Sequence, residues 1–150
     1  MIIAVDFDGT IVTHAYPKIG KEISGAISTL KRIQADGHRL ILWTVREDEL
    51  LNEAVAFCRE RGLEFFAVNE HYAGERHKEY GPDSPSCRKI NADLYIDDRN
   101  IGGFPGWEAI YEMLSHRLSY SRYYSELTGK EYHGRKKGFF QRLVNKFGDK

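Results

Sequence analysis

The stretch that decides the fold is AVDFDGTIV, residues 4–12, which completes an apolar run begun at the first residue of the chain. An unbroken apolar run before Asp6 predicts a buried β-strand. Asp8 follows two positions later, and Gly9 then permits a sharp turn of the backbone. Because side chains at positions i and i+2 of an extended segment point the same way, both carboxylates are expected in one pocket at the end of the strand.

Two carboxylates that close together repel each other unless a cation lies near them or one keeps its proton. The pair therefore predicts a site for a hard cation with oxygen ligands, such as Mg²⁺. It also predicts a division of labour, in which one carboxylate attacks as a nucleophile and the other transfers protons.

Four apolar segments alternate with amphipathic ones along the chain. The predicted strands cover residues 1–5, 39–44, 63–68 and 92–98, the predicted helices about 23–33, 47–61 and 107–118, and a loop 69–85. This alternation predicts an α/β fold with a parallel sheet and right-handed crossovers. Ligands of such sheets gather at the carboxyl ends of the strands, where Asp6, Thr44 and Asp97 are expected to meet.

Composition and charge distribution favour a soluble protein with two parts. The 150 residues carry 22 basic and 22 acidic side chains, so no global field points to nucleic acid or membrane. Residues 119–150 hold eight Lys or Arg against three Asp or Glu, a basic excess that the rest of the chain balances. We therefore predict a domain over 1–118 and a basic helical extension over 119–150.

The chain shows no signal for export or membrane insertion. Its two cysteines, Cys58 and Cys87, lack zinc-finger or CxxC spacing, and no apolar run approaches the roughly 20 residues that span a bilayer. The N-terminus enters a core strand directly, which leaves no room for a signal peptide. These features predict a cytoplasmic protein without a transmembrane segment.

The DFDGT sequence of residues 6–10 resembles the first motif of the haloacid dehalogenase-like (HAD) superfamily, most of whose members are Mg²⁺-dependent phosphatases. The resemblance implies that Asp6 is phosphorylated, that Asp8 is the general acid/base, and that Gly9 and Thr10 contact the substrate. It also implies a Rossmannoid three-layer sandwich whose parallel sheet has strand order 4-1-2-3.

Three later segments resemble the other HAD motifs. LILWT, ending at Thr44, resembles the second, whose hydroxyl holds phosphoryl oxygens. Lys89, rather than its neighbour Arg88, best matches the third, which offsets negative charge. YIDD, ending at Asp97 and Asp98, resembles the fourth, which completes the Mg²⁺ site.

Two of the implied roles stay open from the residues alone. The resemblance implies that Asp6, Asp97 and the backbone carbonyl of Asp8 bind the metal. Asp98 either contributes to the metal site or orients Lys89. Arg46, just beyond the second motif, either clamps a substrate phosphate or forms a surface ion pair.

HAD phosphatases often carry a cap domain, and this chain has no room for one. The two insertion points hold only residues 13–20 and 69–86. The chain resembles small capless bacterial members with an open site, which act on large substrates or borrow a cap from a neighbouring subunit. We therefore expect a phosphorylated small molecule or a macromolecular end as substrate, and the sequence leaves the oligomeric state open.

The basic extension holds an amphipathic pattern in residues 134–150, with Phe139, Phe140, Leu143, Val144 and Phe147 on one helical face. Such a helix docks on a partner, an anionic membrane surface or nucleic acid, or it packs on its own domain.

The sequence therefore predicts a Mg²⁺-dependent phosphomonoester hydrolase that forms an aspartyl phosphate on Asp6. Two alternatives remain: a phosphotransferase that uses the same residues, and a catalytically weak binding module with a HAD fold.

Overall fold

The computed structural model of the protein describes residues 1–72 and 90–129. Strands and helices alternate along the first described range, as the sequence predicts. The strands are β1 (Ile2–Val5), β2 (Arg39–Leu42), β3 (Ala67–Val68) and β4 (Leu94–Ile96), and the helices are α1 (Ala26–Ala35), α2 (Asp48–Glu60), α3 (Trp107–Ser115) and α4 (Tyr120–Thr128).

The four strands form one parallel sheet in the order β3-β2-β1-β4. Read from the opposite edge, this order is the predicted 4-1-2-3, with the same neighbours for every strand. Strand β1 lies between β2 and β4, with Val5 opposite both Leu42 and Ile96. The fold is therefore α/β and Rossmann-like, and the carboxyl ends of the neighbouring strands β2, β1 and β4 lie at one common edge of the sheet.

The central strand is apolar because both of its faces are covered. Ile3, Ala4 and Val5 are fully buried, and the last three residues of β2 are as well. Continuous apolar runs of this kind are typical of parallel strands. Helix α1 contributes Leu30 and Ile33 to the core, in agreement with the helical spacing of apolar residues in the sequence.

The third strand is shorter than predicted, because only Ala67 and Val68 pair with β2. The preceding Leu63 is buried, but its backbone N–H donates to the carbonyl of Cys58 and closes the end of α2. Its apolar side chain therefore completes the helix end rather than a sheet. The first helix likewise begins at Ala26, later than the apolar pattern from Ile23 indicates.

The chain forms two compact units, the first spanning Met1–Tyr111 and the second beginning at Glu112. The second unit thus begins before residue 119, where the sequence places the basic extension. Within it, α4 is capped by Ser119, whose hydroxyl accepts from the Arg122 backbone N–H, and is closed by Gly129 in the left-handed conformation. The amphipathic pattern in residues 134–150 lies outside the described residues. Among the helices of the described ranges, none combines the length and the apolar character that crossing a membrane requires.

Candidate metal and catalytic site

The ends of three neighbouring strands bring the predicted site residues to one edge of the sheet. The ladder continues one residue beyond β1, since the Asp6 backbone N–H donates to the Ile96 carbonyl at 3.0 Å. The Trp43 N–H donates in turn to the Val5 carbonyl at 2.9 Å. Asp6 and Asp97 therefore follow directly on paired strand ends, and Thr44 stands two residues after the end of β2, at the edge where the sequence predicts them.

Asp6, Asp97 and Asp98 form an acidic cluster in which one carboxylate oxygen from each lies within 4.8 Å of the others. All three residues are half-buried. The Oδ1 atom of Asp98 is buried and accepts no hydrogen bond from the described residues. A buried carboxylate oxygen without a donor is costly, and a hard divalent cation with oxygen ligands would satisfy it. The donor set therefore fits Mg²⁺.

Burial raises the pKa of Asp6 from 3.8 to about 7. The nearby carboxylates of Asp97 and Asp98 contribute to this rise, while hydrogen bonds from the Phe7 backbone and the Thr10 side chain oppose it. The ionised form of Asp6 is thus disfavoured by desolvation first and by like charge second. A bound cation would reverse both effects.

Thr10 links two members of the acidic cluster. Its fully buried hydroxyl donates to Asp6 Oδ2 at 3.3 Å and accepts from the Asp98 backbone N–H at 3.1 Å. The carbonyl of Thr10 accepts from the indole N–H of Trp107, the first residue of α3, at 3.1 Å. In the structure Thr10 therefore positions the carboxylates, whereas the sequence predicts that it contacts substrate.

Gly9 brings the backbone close to Asp98. Its φ is +97°, and a Cβ placed there would lie 2.6 Å from Asp98 Oδ2 and would also collide with the ring of His14. A side chain at this position would push the Asp98 carboxylate away from that of Asp6. The sequence predicts Gly9 as a substrate contact, and the structure shows a steric reason for glycine as well.

Asp8 lies apart from the acidic cluster and is paired with a buried arginine. Arg46 donates from Nε to Asp8 Oδ2 at 2.6 Å and from Nη2 to Asp8 Oδ1 at 2.7 Å. The same guanidinium donates to the carbonyls of Pro17 and Lys18, both at 2.9 Å. The Arg46 side chain is fully buried, while that of Asp8 is 11% exposed. Both oxygens of the predicted general acid are thus engaged.

This arrangement changes the interpretation of Arg46. The sequence leaves open a phosphate clamp or a surface ion pair, and the structure shows an ion pair that is buried. Its hydrogen bond to Asp8 raises the pKa of Arg46, so the guanidinium is charged. Because Nε, Nη1 and Nη2 already donate to protein oxygens, Arg46 holds Asp8 and the loop of residues 13–20 rather than a substrate phosphate.

Thr44 is buried at the end of β2, and its hydroxyl accepts from the Arg46 backbone N–H at 3.3 Å. The Thr44 backbone N–H donates to the side-chain Oδ1 of Asn69 at 2.8 Å. Asn69 is buried with φ +52°, and its side-chain nitrogen has no hydrogen-bond acceptor among the described residues. Asn69 therefore fixes the backbone at the second motif.

Two residues of this site were not predicted as site residues, Asn69 and His14. His14 Nε2 lies 2.9 Å from Asp98 Oδ2, and its side chain is half exposed. Neither has a spacing signal in the sequence, although both stand just after a predicted strand or motif. Lys89 and its neighbour Arg88 lie outside the described residues, so their predicted role stays a prediction.

Among solved structures, the chain is similar to a conserved protein coded by a locus from Bacteroides thetaiotaomicron. The two sequences are 55% identical, and the match covers 83% of this chain and 98% of that one with a TM-score of 0.74. No protein-family model and no curated protein matches the chain.

Proposed function

The chain belongs to the family of this conserved Bacteroides protein, and we propose that it is a Mg²⁺-dependent, HAD-type phosphatase that hydrolyses phosphomonoesters. The observation that carries the proposal is the convergence of Asp6, Asp97 and Asp98 at the carboxyl edge of a parallel sheet. The DFDGT motif supplies the reason to assign phosphoryl transfer to this cluster, rather than metal binding alone.

Asp6 is the proposed nucleophile. One of its carboxylate oxygens forms a bond to phosphorus while the bond from phosphorus to the ester oxygen breaks, which leaves an aspartyl phosphate. The hydrogen bond from Thr10 keeps the Asp6 side chain oriented during this step. Asp6, Asp97 and Asp98, with the backbone carbonyl of Asp8, would hold Mg²⁺. When bound, the cation lowers the cost of ionising Asp6 and offsets charge on the phosphoryl oxygens.

Asp8 is the proposed general acid/base. Its proton goes to the departing ester oxygen, and its carboxylate then takes a proton from the water that attacks phosphorus and releases inorganic phosphate. Since Arg46 engages both Asp8 oxygens, one of them must leave the guanidinium before it can carry a proton. Arg46 is thus a positioning residue that acts through Asp8.

Thr44 contributes a hydroxyl at the same edge. The hydroxyl oxygen accepts from the Arg46 backbone N–H. The hydroxyl group also has one hydrogen to donate, and we assign that hydrogen to a phosphoryl oxygen. Lys89 is proposed from the sequence alone to complete the charge balance. The loop of residues 13–20 contains no helix or strand, which supports a capless site on that side.

The test is release of inorganic phosphate from sugar phosphates, nucleotides and 3′-phosphorylated oligonucleotides, with Mg²⁺ or with EDTA. Wild type should turn over at least one of these with Mg²⁺ only, and Asp6→Asn should be inactive. With p-nitrophenyl phosphate, whose leaving group departs without a proton, Asp8→Asn should accumulate the intermediate, which mass spectrometry detects as one phosphoryl group on the peptide that carries Asp6. A metal-independent activity that persists in Asp6→Asn would refute the proposal.

A second candidate is a binding module with little turnover. The observation that favours it is the two-point pairing of Asp8 with Arg46, because a carboxylate held in this way cannot donate a proton. Mg²⁺ binding to the folded protein without turnover of any ester would favour this candidate. A phosphotransferase needs the same residues, and it would be recognised by transfer to an added alcohol instead of water.

A further inference from the structure

The exposed aromatic ring of Tyr16 covers the buried guanidinium that holds Asp8. The Arg46 Cζ atom lies 5.3 Å from the centre of the Tyr16 ring and 5.2 Å from the centre of the Phe7 ring. Phe7 is fully buried, whereas Tyr16 is 58% exposed. Cation–π contacts thus join a core ring, the guanidinium and a ring at the surface of the site.

The position of Tyr16 is fixed by its neighbours in the chain. The carbonyls of the next two residues, Pro17 and Lys18, both accept hydrogen bonds from Arg46. Tyr16 therefore presents its exposed area from an anchored segment. A ring held in place before a ligand arrives loses little conformational entropy on binding.

A second exposed apolar side chain, Val45, follows Thr44 directly and is 68% exposed. In the sequence it stands between the proposed phosphoryl-binding threonine and the arginine beneath Tyr16. The surroundings of Asp8 thus combine a buried ion pair with exposed apolar area. Exposed apolar side chains beside a polar site can contact the uncharged part of a ligand.

We propose that the site selects phosphomonoesters whose leaving group carries a flat aromatic ring, which stacks on Tyr16. This inference rests on the proposed phosphatase function. Asp8 protonates the leaving oxygen, and Asp8 is bound to the guanidinium on which Tyr16 lies. The leaving group therefore departs beside Tyr16, so that a ring carried by this group can reach the Tyr16 ring. A nucleobase and an aryl side chain share this chemistry.

The first test compares the binding of benzylphosphonate and cyclohexylmethylphosphonate by titration calorimetry in the presence of Mg²⁺. The two compounds carry the same charged group and rings of similar size, but only one ring is flat. Wild type should bind benzylphosphonate about 2- to 12-fold more tightly, the range expected for an aromatic pair. Tyr16→Leu should bring this ratio close to one, and Tyr16→Phe should preserve it.

Phe66→Leu is the matched control. Phe66 is also an exposed ring beside an arginine, with Arg39 Cζ 4.9 Å from its centre. It directly precedes β3, at the amino end of that strand, whereas the proposed site lies at the carboxyl ends of the strands. This variant should keep the wild-type ratio. Thermal unfolding of each variant verifies that it is folded.

Hydrolysis assays then distinguish a nucleobase from an aryl group as the ring that binds, and they test the phosphatase proposal separately from the ring selectivity. Preference for adenosine 5′-monophosphate over ribose 5-phosphate indicates a nucleobase, and preference for benzyl over cyclohexylmethyl phosphate indicates an aryl group. The inference is overturned if the two phosphonates bind equally, if neither binds detectably, or if the ratio is unchanged in Tyr16→Leu. In each of these cases, measured turnover of a phosphomonoester would still support the phosphatase proposal. Ring-selective binding without turnover of any ester supports the inference and overturns the phosphatase.

Discussion

Arg46 and Asp8 form a two-point ion pair inside the protein, with 2.6 Å from Nε to Oδ2 and 2.7 Å from Nη2 to Oδ1. The pair joins the segment after β2 to the segment after β1, and through the carbonyls of Pro17 and Lys18 it also fixes the loop between them. One buried cation thus organises three parts of the site.

We expect Arg46→Met to reduce the free energy of unfolding by about 3–5 kcal/mol, because it leaves a carboxylate without its buried partner. Arg46→Lys should be less severe but still destabilising, since an ammonium group cannot reproduce the planar pairing with Asp8. Urea unfolding measures both. The matched control is Arg122→Met, because the exposed pair of Arg122 with Glu126 should contribute less than about 1 kcal/mol. A loss no larger in Arg46→Met than in the control would contradict the buried-pair interpretation.

The raised pKa of Asp6 predicts a specific pH dependence of stability without metal. Because folding raises this pKa from 3.8 to about 7, the folded state favours the protonated carboxyl group. The contribution is fully present below the unfolded value and is lost as pH rises through about 7. In EDTA, wild type should therefore lose thermal stability relative to Asp6→Asn over this interval. Parallel curves for the two proteins would show that Asp6 is not the group responsible.

Addition of Mg²⁺ should reverse that loss, because the cation binds the ionised carboxylates. The increase in melting temperature with Mg²⁺ should therefore grow as pH rises through about 7, the pKa of metal-free Asp6. Asp98→Asn should weaken Mg²⁺ binding at least about 10- to 100-fold by titration calorimetry. Asp93→Asn is the control, since Asp93 is an acid just before β4 that accepts from the Ile2 backbone N–H. Equal effects of the two substitutions would place the metal elsewhere.

Substitution of Gly9 separates close approach from backbone strain. Gly9→Ala and Gly37→Ala both place a side chain at positive φ, +97° and +85°, which costs about 1–2 kcal/mol at each position. Only at Gly9 would the new Cβ collide with Asp98, since Gly37 has open space around that position. We expect Gly9→Ala to be the more destabilising and to weaken Mg²⁺ binding, whereas Gly37→Ala should bind Mg²⁺ like wild type. Unfolding by urea and calorimetric titration give the two readouts.

The sheet and the acidic cluster were predictable because both follow from local patterns. Apolar runs that end in Asp6, Thr44 and Asp97 indicate parallel strands, and the parallel arrangement brings their ends together. The partner of Asp8 was not predictable, because the pairing joins residues 38 positions apart and depends on a loop conformation. Nothing in the spacing distinguishes an arginine that faces a substrate from one that is buried against a carboxylate.

The limits of β3 and the role of Asn69 were missed for a related reason. An apolar side chain such as Leu63 fits the end of a helix as well as a strand, and only the packing of α2 decides between them. The role of Asn69 depends on one hydrogen bond, which its side-chain oxygen accepts from the Thr44 backbone N–H. This contact joins two segments that are far apart in the sequence, so no local pattern indicates it.

The hydrogen bond from Trp107 to the Thr10 carbonyl gives the site a built-in optical signal. The indole ring is buried, and Thr10 bridges the carboxylates that would bind the cation, so loading of the site alters the electric field around a natural fluorophore. The other tryptophan, Trp43, follows β2, and Trp43→Phe would isolate the emission of Trp107. Occupancy of the site can then be followed in real time, without a label and without a known substrate.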